Sequence, residues 1–124
     1  MKSADTSLAR FIDHTLLKPE AKRSDIERLC AEAREHGFIG VCVNTAWIEH
    51  AATLLKGSET LPVAVVGFPL GACTSATKAF ETTEAVRLGA REIDMVLNVG
   101  ALKSGDLTLV ENDIRLVVAA AKPR

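Results

Sequence analysis

This sequence has no excess charge of either sign, no long apolar run and no paired set of cysteines, and each absence removes a class of function. Lysine and arginine number 15 against 16 aspartates and glutamates, leaving a net charge of -1. The two signs are interspersed, so the chain carries no electrostatic footprint for nucleic acid or an anionic membrane. No apolar run approaches the ~20 residues that span a bilayer, and no basic segment leads into an apolar stretch with a cleavage site. The expectation is a soluble, cytoplasmic protein.

The three cysteines, Cys30, Cys42 and Cys73, are odd in number and form no short-spaced pair. That argues against a disulfide framework or a structural zinc site and fits a reducing compartment. His14, His36 and His50 lie in separate segments without close carboxylate or thiol companions, so no metal site is expected. No low-complexity linker or repeat divides the chain, and its 124 residues, 48% hydrophobic and 25% charged, suit one modest core.

What is present is an alternation of two patterns. Ser24 and Glu27 have capping-box spacing, and Ile26, Leu29, Cys30 and Ala33 follow at helical intervals before Gly37 supplies a stop. Ile39–Asn44 reads as a strand, and Thr45–Lys56 as a helix with Trp47, Ile48, Ala51, Ala52 and Leu55 on one stripe. Val63–Phe68 and a helix from about Ala76 to Leu88 repeat the unit. Glu92–Val99 and a last helix repeat it again, with Leu107, Val110, Ile114, Val117, Val118 and Ala121 as its buried face and Pro123 as its end. Residues 1–23 read as a short helix over Ser7–Ile12 and the connector DHTLLKPEAK, and residues 24–124 as a helix followed by three strand-helix units.

Short apolar strands alternating with helices give an α/β class, with a parallel sheet covered on both faces. A closed (β/α) barrel uses eight strands and about 250 residues, so about three of the eight are accounted for. Three strands leave bare edges, and self-association or a partner fragment is expected to cover them. A compact open three-layer sandwich is the competing architecture.

In parallel α/β folds chemistry gathers at the carboxyl ends of the strands. Those ends are Asn44-Thr45, Phe68–Gly71 and Asn98–Gly100. The most informative stretch is EIDMVLNVGALKSGD, which sets Asp94 inside an apolar run; a buried carboxylate there implies either a structural hydrogen bond or a catalytic acid/base. Period two puts Asp94, Val96 and Asn98 on one face. Cys42 shares a face with Gly40 and Asn44 and reads by default as a small packed hydrophobe. GFPLGACTSATK lacks the spacing of a phosphate-binding P-loop, because the position five after Gly67 is Ala72. Lys18, Lys22, Lys56, Lys78, Lys103 and Lys122 fall in loops or on helices and read as solvated charges, so no strand offers an amine for Schiff-base chemistry. Lys103 alone follows a strand closely enough to reach a pocket.

Four segments, IDHTLLKPEA, GVCVN, VVGFPLGA and EIDMVLNVGALKSGD, in this order and at these separations, resemble the deoxyribose-phosphate aldolase family. Thr45 stands where relatives usually carry proline. The resemblance implies a TIM-type (β/α)₈ barrel lyase that reversibly cleaves 2-deoxy-D-ribose 5-phosphate to acetaldehyde and D-glyceraldehyde 3-phosphate through a lysine Schiff base, with no metal or organic cofactor. It implies a proton-shuttling role for Asp94 and a place in the pocket wall for Asp13 and Cys42. Relatives continue into strands bearing the Schiff-base lysine, a second lysine that lowers its pKa, and most of the phosphate-binding glycines. The chain therefore reads as an amino-terminal fragment, inactive alone and completed by its own kind or by a carboxyl-terminal half. The other reading is a non-catalytic scaffold or assembly module that pairs through open strand edges.

Overall fold

A computed structural model of the chain describes residues 6–122, within which the two patterns fold as alternating strands and helices. The order is α1 (Thr6–Ala9), β1 (Asp13–Leu16), α2 (Arg23–His36), β2 (Gly40–Val43), a 3₁₀ turn (Thr45–Trp47), α3 (Ile48–Leu54), β3 (Leu61–Val66), α4 (Ser75–Arg87), β4 (Glu92–Met95), α5 (Val99–Lys103) and α6 (Leu107–Ala121). The strands form one sheet in the order β1-β2-β3-β4, every pairing parallel.

The expected count of three strands is corrected to four. The added one, β1, lies in the segment read as a connector, because Asp13, His14 and Thr15 gave it no apolar run. His14 faces the helices and binds Glu32 of α2 at 2.8 Å, so a polar contact stands where an apolar one was sought. Two other boundaries differ. The capping box of α2 is set two residues earlier than Ser24/Glu27, since the Lys22 N–H donates to Asp25 Oδ2 at 2.8 Å. That bond holds the Asp25 carboxyl below its ordinary range. Its contribution is present at neutral pH and is lost as pH falls through the lowered value. The last strand stops at Met95, and part of the expected loop after it is α5, capped by Asn98 Oδ1 accepting from the Ala101 N–H at 3.1 Å. The Pro123 stop lies outside the described residues.

Alternation gives the sheet two unlike faces. Val41, Val43 and Ala64 point into the main core with Ile26, Leu29, Cys30, Ala33, Ile48 and Ala51 from α2 and α3. Cys42, Val63 and Val65 form a second, smaller cluster with Leu17 on the opposite face, which no described helix covers. The apolar stripe of α6 is only half used. Val110 and Val117 are buried, whereas Leu107, Ile114 and Val118 remain exposed, so the expected buried face is corrected to a narrower one that includes Asp113.

The turn out of β3 needs glycine at Gly71, whose φ is 66° and where a Cβ would sit 2.2 Å from the Leu97 carbonyl oxygen. Left-handed backbone alone disfavours an L-residue by about 1–2 kcal/mol, and the clash is with main chain that cannot swing aside. Gly71→Ala is expected to lower stability by more than about 2 kcal/mol in urea unfolding. A change below about 0.5 kcal/mol would contradict this packing of the loop against the segment after β4.

Candidate functional site

Three side chains singled out in the sequence meet on the helix-free face. Gly40 pairs with Asp13 across β1 and β2, and a Cβ there would fall 2.3 Å from Asp13 Oδ1. The glycine therefore leaves the space that the carboxylate occupies. Cys42, two residues on, shares that face and is 3% exposed. Asp94 of β4 pairs with Val65 of β3 and projects from the same side.

Asp94 is exposed, which corrects the expectation of a carboxylate held in a dry interior. The physical reason is the sheet itself: its four strands form one layer, and the face bearing Asp94 is open. The carboxylates still act on one another. Partial desolvation against the sheet, and secondly the Asp94 charge, hold the Asp13 carboxyl above its ordinary range. Burial pushes the Cys42 thiol up to about 11, with the Asp94 and Asp13 charges adding to the rise and the Thr15 hydroxyl opposing it. A thiol of that kind is a poor nucleophile at neutral pH.

Removing one of those charges has a defined sign. A carboxylate disfavours a nearby thiolate, so Asp94→Asn lowers the Cys42 pKa and speeds its alkylation. About a two- to tenfold rise in the iodoacetamide rate at pH 8 is expected, read by mass spectrometry of the Cys42 peptide. An unchanged rate would contradict the shared face.

The carboxyl ends of the strands are tied together by Glu81 of α4. Its Oε1 accepts the Gly67 N–H at 2.9 Å and its Oε2 accepts the Thr45 hydroxyl at 3.2 Å, joining the exits of β2 and β3. Asn44 Nδ2 donates to the Leu17 carbonyl at 3.3 Å and joins β2 to the exit of β1. Beside Glu81 lies a hollow of about 400 Å³ lined by Gly67, Phe68, Leu70, Ala72 and Cys73. A groove of about 390 Å³ flanks the outer side of β1 and one of about 720 Å³ the amino-terminal rim, both away from Asp13 and Asp94.

The lysine reading requires one correction. Lys78 is 0% exposed, not a surface charge, and Asp113 facing it is 1% exposed. Lys78 Nζ donates to Asp113 Oδ2 at 2.5 Å and to the Val96 carbonyl at 2.9 Å. The pair sits between α4 and α6, behind the sheet rather than on the face of Asp94. A signal for it was present: Lys78 and Thr82 share the helical stripe of Ala85, and Asp113 lies between Val110 and Val117. No lysine lies in any of the four strands. Among the described residues no group of three or more His, Cys, Asp and Glu gathers as a metal site, and no helix is long and apolar enough to cross a membrane.

No family model matches the chain. It is 62% identical over 114 residues to the deoxyribose-phosphate aldolase of Streptococcus pneumoniae (serotype 19F, strain G54), a match covering 92% of this chain and 52% of the relative. Among solved structures it superposes on one from Coccidioides immitis, assigned as a deoxyribose-phosphate aldolase, with a TM-score of 0.92 and 40% identity over 97% of this chain and 47% of the other. The deoxyribose phosphate aldolase of Aeropyrum pernix, described as a unique tetramer, gives 0.80 and 27% identity over 94% and 50%. The chain thus spans about half the length of the curated relatives it matches. The resemblance is to their amino-terminal portion, and the fold is a partial barrel of parallel strand-helix units.

Proposed function

We propose that this chain, similar to the amino-terminal portion of deoxyribose-phosphate aldolases, supplies the proton-transfer half of a Schiff-base aldolase that cleaves 2-deoxy-D-ribose 5-phosphate to acetaldehyde and D-glyceraldehyde 3-phosphate. The observation that carries the reading is the convergence of Asp13, Cys42 and Asp94 on the open face of a parallel sheet whose sequence and shape follow those relatives. Asp94 is the general acid/base. Asp13 and Cys42 are walls of the substrate pocket. The amine comes from residues beyond this chain, since none of its strands carries a lysine. No metal or organic cofactor takes part, and the three free thiols suit a reducing, cytoplasmic setting.

The chain works in an assembly. A closed barrel of this type needs eight strands, and β1 and β4 leave the sheet with two bare edges. Beside β4 lies a hollow of about 300 Å³, lined by Ile93, Met95, Ile114, Val117 and Val118 with Arg91 and Glu92 also in its wall, where a further strand would place its side chains. Charge selects the occupant. A second copy would set its own Asp13, Glu92 and Asp94 against these three carboxylates, whereas a carboxyl-terminal half bringing lysines would neutralise them. Size-exclusion chromatography with light scattering, together with an acetaldehyde-release assay on each half and on the mixture, tests this. Activity in the mixture alone is expected; turnover by the isolated chain would refute it.

The scaffold reading draws on the same bare edges and on the exposed Leu107, Ile114 and Val118 of α6. A stable complex of the two halves without turnover would favour it.

A further inference from the structure

We propose that Lys78 is a positioning residue for Asp94: by anchoring the Val96 carbonyl from behind the sheet, it fixes the carboxyl end of β4 and so the direction in which Asp94 projects. The importance of Asp94 rests on the function proposed above, but the anchoring is a property of the chain itself.

Val96 is the first residue past β4, and its N–H donates to the Val66 carbonyl at 3.0 Å as in a continuing ladder. The ladder cannot continue on its other side. A parallel partner would next offer an N–H to the Val96 carbonyl, but β3 ends at Val66 and turns at Gly67, where φ is 66°. Lys78 Nζ supplies the missing donor at 2.9 Å. Its stem runs under the same turn, since a Cβ on Gly67 would stand 3.0 Å from Lys78 Cε. Val96, two residues after Asp94, is therefore held by β3 through its N–H and by α4 through its carbonyl.

The ammonium is itself fixed. Asp113 Oδ2 accepts from it at 2.5 Å, and Asp113 Oδ1 accepts from the Ser75 hydroxyl at 2.7 Å, so α6 locks the first turns of α4. The Lys78 carbonyl accepts the Thr82 hydroxyl at 2.8 Å. Every polar atom in this cluster has a partner. Burying two ions is expensive, and apolar side chains of similar volume often hold a fold equally well. What apolar side chains cannot do is donate to one chosen carbonyl. Lysine, with three N–H donors on a long stem, does so from the far side of the sheet without entering the face where Asp94 stands.

The test uses the chain alone, so its outcome is independent of whether a reconstituted barrel turns over. In the unmodified chain, NMR should detect slowly exchanging Lys78 Nζ protons coupled across the hydrogen bond to the Val96 carbonyl carbon. Absence of that coupling overturns the proposal without any substitution. In the double variant K78M/D113L, which replaces the pair with apolar side chains, the urea midpoint should stay near that of the unmodified chain. Val96 amide exchange should nevertheless accelerate by about tenfold or more, and the Asp13 titration should move toward that of Asp94→Asn. Unchanged Val96 protection and an unchanged Asp13 titration in a folded double variant would reduce Lys78 to packing and overturn the proposal. The variant Asp113→Asn keeps the lysine, and Val96 protection measured relative to the β3 amides, which report global opening, is expected to be retained; a loss confined to Val96 would point to the ion pair, not the carbonyl anchor, and would count against the assignment.

Discussion

In a barrel reconstituted from this chain and a carboxyl-terminal half, Asp94→Asn should lower kcat for 2-deoxy-D-ribose 5-phosphate cleavage by about 100- to 10,000-fold. The substitution keeps the size and hydrogen-bonding outline of the side chain and removes only its capacity to exchange a proton. Asp94 stands on the open face of β4 opposite Val65, so nothing in the chain's own core depends on its charge. The change should therefore fall on kcat, with KM altered by only about threefold, because proton transfer is used at the transition state rather than in holding substrate. Steady-state acetaldehyde release measures it. A loss below about tenfold would remove Asp94 from the role of general acid/base.

The second large effect concerns stability. Asp113→Ala should destabilise the chain by about 3–5 kcal/mol, because it strands the buried Lys78 ammonium beside a cavity with only the Val96 carbonyl and solvent-free walls around it. Domains of ordinary size have a total stability of about 5–15 kcal/mol, so much of the folded population is at stake. Urea unfolding followed by circular dichroism reads the change. A loss below about 1 kcal/mol would mean that the pair is solvated.

The elements built on apolar periodicity were the ones legible in the chain. Ile26, Leu29, Cys30 and Ala33 form the buried face of α2, and Gly37 closes that helix with φ at 70°, both as the spacing implies. Strands β2 and β3 are continuous apolar runs because Val41, Val43 and Ala64 face helices while Cys42, Val63 and Val65 pack on the other side. β1 escaped because only Leu16 of its four residues is apolar: Asp13 and Thr15 lie on the open face, and His14 reaches Glu32 beside Leu16 on the helix side. A period-two pattern of polar residues carries no hydrophobic signal even where the backbone is a strand.

The candidate residues could be named from the sequence, but their environment could not. Asp13, Cys42 and Asp94 do share one face, but the burial inferred for Asp94 from its apolar neighbours belongs to those neighbours. Ile93 packs on the helix side while Asp94 meets solvent. Lys78 and Asp113 show the opposite error. Charge on a helix is ordinarily solvated, and only the coincidence of a cation in one apolar stripe with an anion in another distinguishes a buried pair. Which two helices pack together is tertiary information, and α4 against α6 was not readable from either alone.

The central claim is that this chain contributes the proton-transfer carboxylate of an aldolase and none of its amine chemistry. Borohydride reduction of the reconstituted barrel in the presence of acetaldehyde, followed by peptide mass spectrometry, tests it most directly. The account predicts a reduced adduct on a lysine of the carboxyl-terminal half and every lysine peptide of this chain unmodified. An adduct on Lys78, Lys103 or any other lysine of this chain would contradict it.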